Sequence, residues 1–450
     1  MTLPPWPIFE PDELAAVDAV LRSGRVNYWT GSACRDFEAT WSRAHGASDV
    51  GVNARESHEA SESHCAPAPL HSLSMANGSL TMDAALRALG IGPGDEVIVS
   101  PRSYVASAMC VVLAGATPVF ADVDPESGCI TPATADAVRS PRTRAVIPVH
   151  IGGWPCDMPG FVSWARPHGI HILEDCAQSH GGHTAGRALG TFGTFASWSF
   201  CQDKIMTTGG EGGMLCTPDA GLFARCWSYS QHGKDHATAL GLATKGPSAP
   251  VRGDPSDSSG ASLAPPVPGS FKWVVHHEGT NLRMTEMQAA IGLRQLAKLP
   301  AWSAARRRNS LIMQDALRSV PGLHVPRTPD GHAHYRCVAF TLGEDALVHR
   351  DACLRALHAA GVTSMHGSCS EIYLEPFFQR SGLTPAACGR GQLDGAGRLP
   401  VARQLGETSL TFLCHHTIDE ASMRAYAAAA RDCLLGIASV QTTGRMSPTH

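Results

Sequence analysis

A chain of 450 residues with 43% hydrophobic and 17% charged residues has the apolar content of a globular protein with a large core. A formal net charge of −4 gives nucleic acid and anionic membrane no electrostatic handle, and no apolar run approaches the roughly 18 residues of a membrane-spanning helix. The start "MTLPPWPIFEPDEL" has no signal-peptide pattern, and the 15 cysteines are scattered, odd in number and without a CxxC pair, so reduced thiols and a cytoplasmic setting are expected.

From about residue 73 to 217 short β-rich runs alternate with helical ones, the pattern of a layered α/β domain. "MDAALRALG" puts Met82, Ala85, Leu86 and Leu89 on one helical face, and Gly90 stops it. "GDEVIVS" reads as a buried strand, "SYVASAMCVVLAG" as a helix and "TPVFADVD" as the next strand. "RAVIPVH" and "IHILEDC" are two further strands separated by the helix "MPGFVSWARPHG". Strand–helix–strand units of this length favour parallel pairing.

Two stretches interrupt the alternation. Residues 51–72 are polar and rich in Ser, His and Ala, and residues 236–268 contain "PSAPVRGDPSDSSGASLAPPVP", which cannot build a packed core. Both are expected as surface insertions. "RMTEMQAAIGLRQL" then reads as a helix, "YRCVAFTL" as a strand and "RDACLRALHAAG" as a helix. The expected division is a large domain over 1–300, a smaller C-terminal α/β domain over 301–440 and a flexible tail over 441–450.

The chemistry-bearing residues each have an ordinary reading beside a functional one. Asp175 closes the strand "IHILED", where the strand ends of an open α/β sheet face a ligand crevice. A half-buried carboxylate there wants a cation, and a protonated pyridine nitrogen is one; a plain helix cap is the other reading. Lys204, in "SFCQDKIMTTGGEGG", is placed either for covalent amine chemistry or as a solvated loop lysine. The glycines after it match neither GxGxxG nor GxxxxGK[ST]. "ANGSLTMDAALRAL" offers a better anion site, because Gly78 and Ser79 open a helix whose free N–H groups point outward, with Ser199 as a further hydroxyl donor. The 22 histidines include His232 and His236 at i, i+4, and His58 and His64 near Cys65, but no HExxH or finger spacing, so no metal site is expected.

Taken together, "ANGSLTMDAALRALGIGPGDEVIVSPRSYVAS", "EDCAQSHGG", "WSFCQDKIMTTGGEGGM", "EGTNLRMTEMQAAIGLRQL" and "RLPVARQLGETSLTFL" resemble the DegT-type sugar-nucleotide aminotransferases. These are fold-type I pyridoxal-phosphate enzymes, with a mostly parallel sheet flanked by helices in the large domain. The resemblance makes Lys204 the residue that joins pyridoxal 5'-phosphate and moves the proton, and Asp175 the partner of the pyridine nitrogen. Gln178 falls near the ring hydroxyl, Tyr104 on the ring face, and Gly78, Ser79 and Ser199 at the phosphate. Asn281 matches a residue that reaches the neighbouring subunit's cofactor, implying a homodimer with shared active sites, and Arg283 lines the same interface. Cys369, Glu371 and Tyr373, in "GSCSEIYLE", are candidates for the sugar end of the pocket or for packing between domains.

The implied reaction moves an amino group from L-glutamate to C4 of a nucleotide-linked keto-deoxy sugar, for aminosugar and surface-polysaccharide synthesis such as O-antigen. Three alternatives share the scaffold. A sugar dehydratase would carry His in place of Lys204, a cysteine-using lyase would need a mobile reactive thiol, and a regulatory homologue would be expected to lose Lys204 or Asp175.

Overall fold

A computed structural model describes residues 3–46, 69–240, 274–343, 346–367 and 371–444. Its main sheet contains β1 (His71–Met75), β2 (Glu96–Val99), β3 (Thr117–Phe120), β4 (Thr143–Ile147) and β5 (His171–Asp175). After a small hairpin of β6 (His183–Thr184) and β7 (Arg187–Ala188), the sheet is completed by β8 (Phe195–Ser199) and β9 (Gly213–Thr217). The order is β1-β9-β8-β5-β4-β2-β3. The pairs β2–β3, β2–β4, β4–β5 and β5–β8 are parallel, whereas β9 runs antiparallel to both β8 and β1. All strands of this sheet but β9 therefore point the same way, and the ends of β1, β2, β5 and β8 share one edge. Val97, Val99, Ala145 and Ile147 on one face and Ile98, Val146 and Ile172 on the other are all buried, as a sheet covered on both faces requires.

A second apolar cluster lies beneath the chain after β8. Phe37 and Trp41, from the helix Ala33–Gly46, meet Trp198, Phe200, Ile205, Met206 and Met284. The helix Glu286–Arg318 then runs 33 residues from this cluster to a third one, opened by a capping box between Thr285 and Gln288. There its Met313 and Leu317 pack with Cys337, Ala339, Leu410 and Phe412 of a four-stranded antiparallel sheet. That sheet has the order β10 (Leu323–His324), β11 (Cys337–Thr341), β13 (Ser409–Phe412), β12 (Met365–His366).

Several expected boundaries move. His71 and Ser72, placed in the first insertion, belong to β1 because they pair with Thr217 and Cys216 of β9. The second insertion begins with a short helix, His236–Leu240, and residues 241–273 lie outside the described residues. The boundary at 300/301 falls inside the long helix, which continues through Pro300. The last helix runs Glu420–Gly444, across the boundary expected at 440/441, and residues 445–450 lie outside the described residues.

One buried carboxylate gives the fold a pH dependence. Glu38 accepts the Ser74 N–H at 2.9 Å and the Ser74 hydroxyl at 2.7 Å, and burial pushes its pKa up from 4.5 to about 7. A carboxyl whose folded pKa lies above its unfolded value contributes stability at low pH and loses it as pH rises, here from 4.5 to about 7. Glu38→Gln removes the charge and keeps an acceptor. Thermal melts are expected to show the variant more stable than the parent at pH 8, by on the order of 3 kcal/mol, and equal at pH 4.

Candidate active site

The shared strand edge gathers the residues singled out in the sequence. Asp175, the last residue of β5, is 4% exposed. Ser107 donates its hydroxyl to Asp175 Oδ2 at 2.7 Å, and the Ala177 N–H donates to Oδ1 at 3.1 Å. Ser103 and Ser107 hydroxyls lie 2.7 Å apart and extend the network toward the end of β2. A buried carboxylate with only neutral donors gains from a cation in the crevice. Gln178, on the turn after Asp175, accepts the Gly152 N–H at 2.7 Å.

An anion cradle sits beside it. Asn77 accepts the Leu80 N–H at 3.1 Å and caps the helix Gly78–Ala88, leaving first-turn amides without an intrahelical acceptor. Ser199, at the end of β8, lies so close that a Cβ on Gly78 would sit 2.8 Å from the Ser199 Cβ. Ser79 is exposed on the same first turn. Gly213 explains the end of the Gly-rich run, since a Cβ there would fall 2.5 Å from the Asn77 carbonyl oxygen. Gly213→Ala must displace the Asn77–Gly78 turn, a cost of about 1–3 kcal/mol. Fluorescence titration of the apo-protein is expected to show pyridoxal phosphate binding weakened by roughly tenfold or more.

Lys204 lies on the loop between β8 and β9, whose Gly209 and Gly210 have φ of 89° and 119°. The Lys204 N–H donates to the Cys201 carbonyl at 3.0 Å, and its carbonyl accepts from Trp6 Nε1 at 2.9 Å. Its side chain is 13% exposed, with Nζ 3.6 Å from Asp203 Oδ1 and 5.6 Å from the Tyr335 ring centroid. Tyr335 donates its hydroxyl to Asp203. Burial opposes the Lys204 charge, but Tyr335, Asp203, Asp175 and Cys201 outweigh it and raise the pKa. With Tyr335 neutral, the two carboxylates are what hold the ammonium at pH 7.

The remaining candidates are spread differently. Tyr104, between β2 and the helix Ala106–Leu113, is 64% exposed. Asn281 is exposed and accepts the Arg283 N–H at 3.2 Å, while Arg283 donates to Gln231 at 3.1 Å and bridges Met75, beside the cradle. Glu371 and Tyr373 are buried and committed to packing. Glu371 binds Arg398 and receives the Tyr373 hydroxyl, and the Tyr373 ring lies 5.3 Å from Phe120. The Tyr373 hydroxyl also accepts the Leu399 N–H at 3.0 Å. These polar atoms tie the segment 371–374 to Arg398 and Leu399, contacts that belong to the packing alternative of the two readings. Cys369 lies outside the described residues. Ser107, Trp6, Asp203 and Tyr335 were not anticipated. Only Ser107 carries a local signal, four residues after Ser103 at a strand-to-helix junction.

Residues 64–416 match the model of the DegT/DnrJ/EryC1/StrS aminotransferase family. The chain belongs to this family. It is 35% identical over 297 residues to a UDP-N-acetyl-3-dehydro-alpha-D-glucosamine 3-aminotransferase of Acidithiobacillus ferrooxidans, covering 65% of this chain and 69% of that protein. It is 34% identical over 353 residues to an L-glutamine:2-deoxy-scyllo-inosose aminotransferase of Streptomyces fradiae, covering 76% and 72%. The solved structure of an aminotransferase from Psychrobacter cryohalolentis superposes with a TM-score of 0.79 at 38% identity, over 98% of this chain and 99% of that one. This DegT-family enzyme is a pyridoxal-phosphate-dependent aminotransferase with the fold-type I architecture. Its residues fit the cofactor: a glycine cradle that one Cβ would fill, a buried carboxylate and a buried amine converge on one strand edge.

Proposed function

We propose that this aminotransferase transfers an amino group from L-glutamate to C4 of a nucleotide-linked keto-deoxy sugar, in the cytoplasm, for aminosugar and polysaccharide synthesis. The reading rests on the convergence of Asp175, Lys204 and the Gly78–Ser199 contact on one edge of the sheet. Pyridoxal phosphate supplies an electron sink that lets a C–H bond next to nitrogen ionise. Gly78, Ser79 and Ser199 hold its phosphate, Asp175 keeps its ring nitrogen protonated, Gln178 serves the ring hydroxyl and Tyr104 covers the ring. Lys204 Nζ would hold the cofactor and would move the proton between the reacting carbons. Asn281 and Arg283 serve the partner's site in a homodimer, consistent with their exposed and half-buried positions next to the cradle.

The names of the relatives bear on donor and acceptor. One is named for a 3-dehydro sugar nucleotide and another for L-glutamine and a cyclitol. The test is a panel of 3-keto and 4-keto sugar nucleotides and 2-deoxy-scyllo-inosose, each with glutamate or glutamine, with NMR of the product. Amination at C4 with glutamate is expected; amination at C3 or of the cyclitol alone would overturn the acceptor assigned here.

A further inference from the structure

The backbone of Lys204 is gripped at two points. Its carbonyl accepts from Trp6 Nε1 at 2.9 Å, and its N–H donates to the Cys201 carbonyl at 3.0 Å. The Trp6 ring is wedged edge-on against Trp302 and His416, with centroids 5.6 and 4.6 Å away. With the backbone fixed, side-chain contacts decide where the amine rests. Nζ stands 3.6 Å from Asp203 Oδ1 and 5.6 Å from the Tyr335 ring centroid.

Alone, Asp203 is a weak partner, because its side chain is half exposed and can turn toward water. Tyr335 removes that freedom. It is buried, stands 132 residues further along the chain, and donates its hydroxyl to Asp203 Oδ2, leaving Oδ1 toward the amine. Burial pushes the Tyr335 phenol up, so the hydroxyl keeps its proton and remains a donor. Burial also opposes the Asp203 charge, but Lys204, the Tyr335 hydroxyl and Arg336 outweigh it and hold the carboxyl below its ordinary value. The other titratable groups facing the amine are Asp175, Cys201 and His180. Asp175 already accepts from Ser107 and Ala177, and burial foremost keeps His180 neutral. Of the two carboxylates, Asp203 is the one that pairs with Nζ directly.

We propose that Asp203, braced by Tyr335, is a positioning residue that docks the Lys204 amine as an ammonium whenever that amine is not joined to the cofactor. It rests on the reading of Lys204 as the cofactor's lysine. Capture forms a carbon–nitrogen double bond between Nζ and the aldehyde carbon of pyridoxal phosphate, whose oxygen leaves as water with two hydrogens from the nitrogen. The step needs the nitrogen lone pair, so the docked ammonium first gives one proton to solvent. An opposite charge held against an amine favours its protonated form. Docking therefore orders the side chain and, at neutral pH, slows its capture of the cofactor.

The experiment mixes apo-protein with pyridoxal phosphate and follows the rise of the visible band of the lysine-linked form, from neutral into alkaline pH. It compares the parent, Asp203→Asn and Tyr335→Phe, and Lys204→Ala corrects for capture by other lysines. In Asp203→Asn capture at neutral pH is expected to be about tenfold faster, and the rate to level off about one pH unit lower. Tyr335→Phe moves the same way by less, since Asp203 then turns to water. Melting curves close to the parent's show that the variants are folded. An unchanged or slower profile in Asp203→Asn overturns the docking, as does a change equal at every pH, and an unchanged profile in Tyr335→Phe overturns the bracing. A parent that forms no lysine-linked band at any pH fails the cofactor reading of Lys204 itself, a separate result.

Discussion

Lys204→Ala is expected to bind pyridoxal phosphate without the visible absorbance of the lysine-linked form and to lose turnover by roughly 10⁴-fold, the upper end of what a positioned proton-transfer group supplies. The cradle does not depend on this side chain. Gly78, Ser199 and Gly213 are held by the contact of the helix Gly78–Ala88 with the ends of β8 and β9, so the phosphate site survives. The removed amine makes a 3.6 Å ion pair with Asp203, whose carboxylate is half exposed and keeps the Tyr335 hydroxyl. Little folding stability is therefore lost, and a small change in melting temperature should accompany the large loss of rate. A small exogenous amine is expected to restore part of the activity. Turnover within tenfold of the parent would contradict the role given to Lys204.

Asp175→Asn is the second large effect. The substitution keeps the shape, and the network can rearrange around it. The Ala177 N–H still has the amide oxygen, while the amide N–H₂ donates to Ser107, whose hydroxyl turns toward Ser103. What disappears is the charge. An adjacent opposite charge shifts a pKa by about 1–3 units, so the ring nitrogen loses its proton near neutral pH and the rate falls by roughly 10- to 1,000-fold. A cofactor analogue methylated on the ring nitrogen carries a permanent charge and should recover part of the loss in this variant. Equal rates for the parent and the Asp175→Asn variant, with cofactor bound in both, would remove Asp175 from the chemistry.

The strands and the main motifs were legible because their signals are local. "EVIV", "TRAVI" and "HILED" are apolar runs of strand length, and "NGS" opens a helix with a side-chain cap. Asp175, Lys204 and Gly78 could be assigned from the family resemblance, but their meeting on one edge depends on sheet order, which no short window encodes. β9 shows the same limit. Its antiparallel insertion between β8 and β1 pulls His71 and Ser72 out of a Ser- and His-rich run and into a strand. Glu371 and Tyr373 could be read from the sequence as pocket or as packing residues, because polar groups in a distinctive motif suggest function without excluding a structural role. Their partners, Arg398 and Phe120, are far away in sequence, so no short window names the contacts a packing role would use. Trp6 and Tyr335 reach Lys204 and Asp203 across 198 and 132 residues, and nothing near either of them points to that contact.

The most direct measurement is the absorption spectrum of the pyridoxal-phosphate-loaded protein during alternate addition of an amino acid and its keto acid. The account predicts a visible band that L-glutamate abolishes and 2-oxoglutarate restores, over repeated cycles, without release of free cofactor. A band that no amino acid changes, in protein that has bound the cofactor, would contradict it.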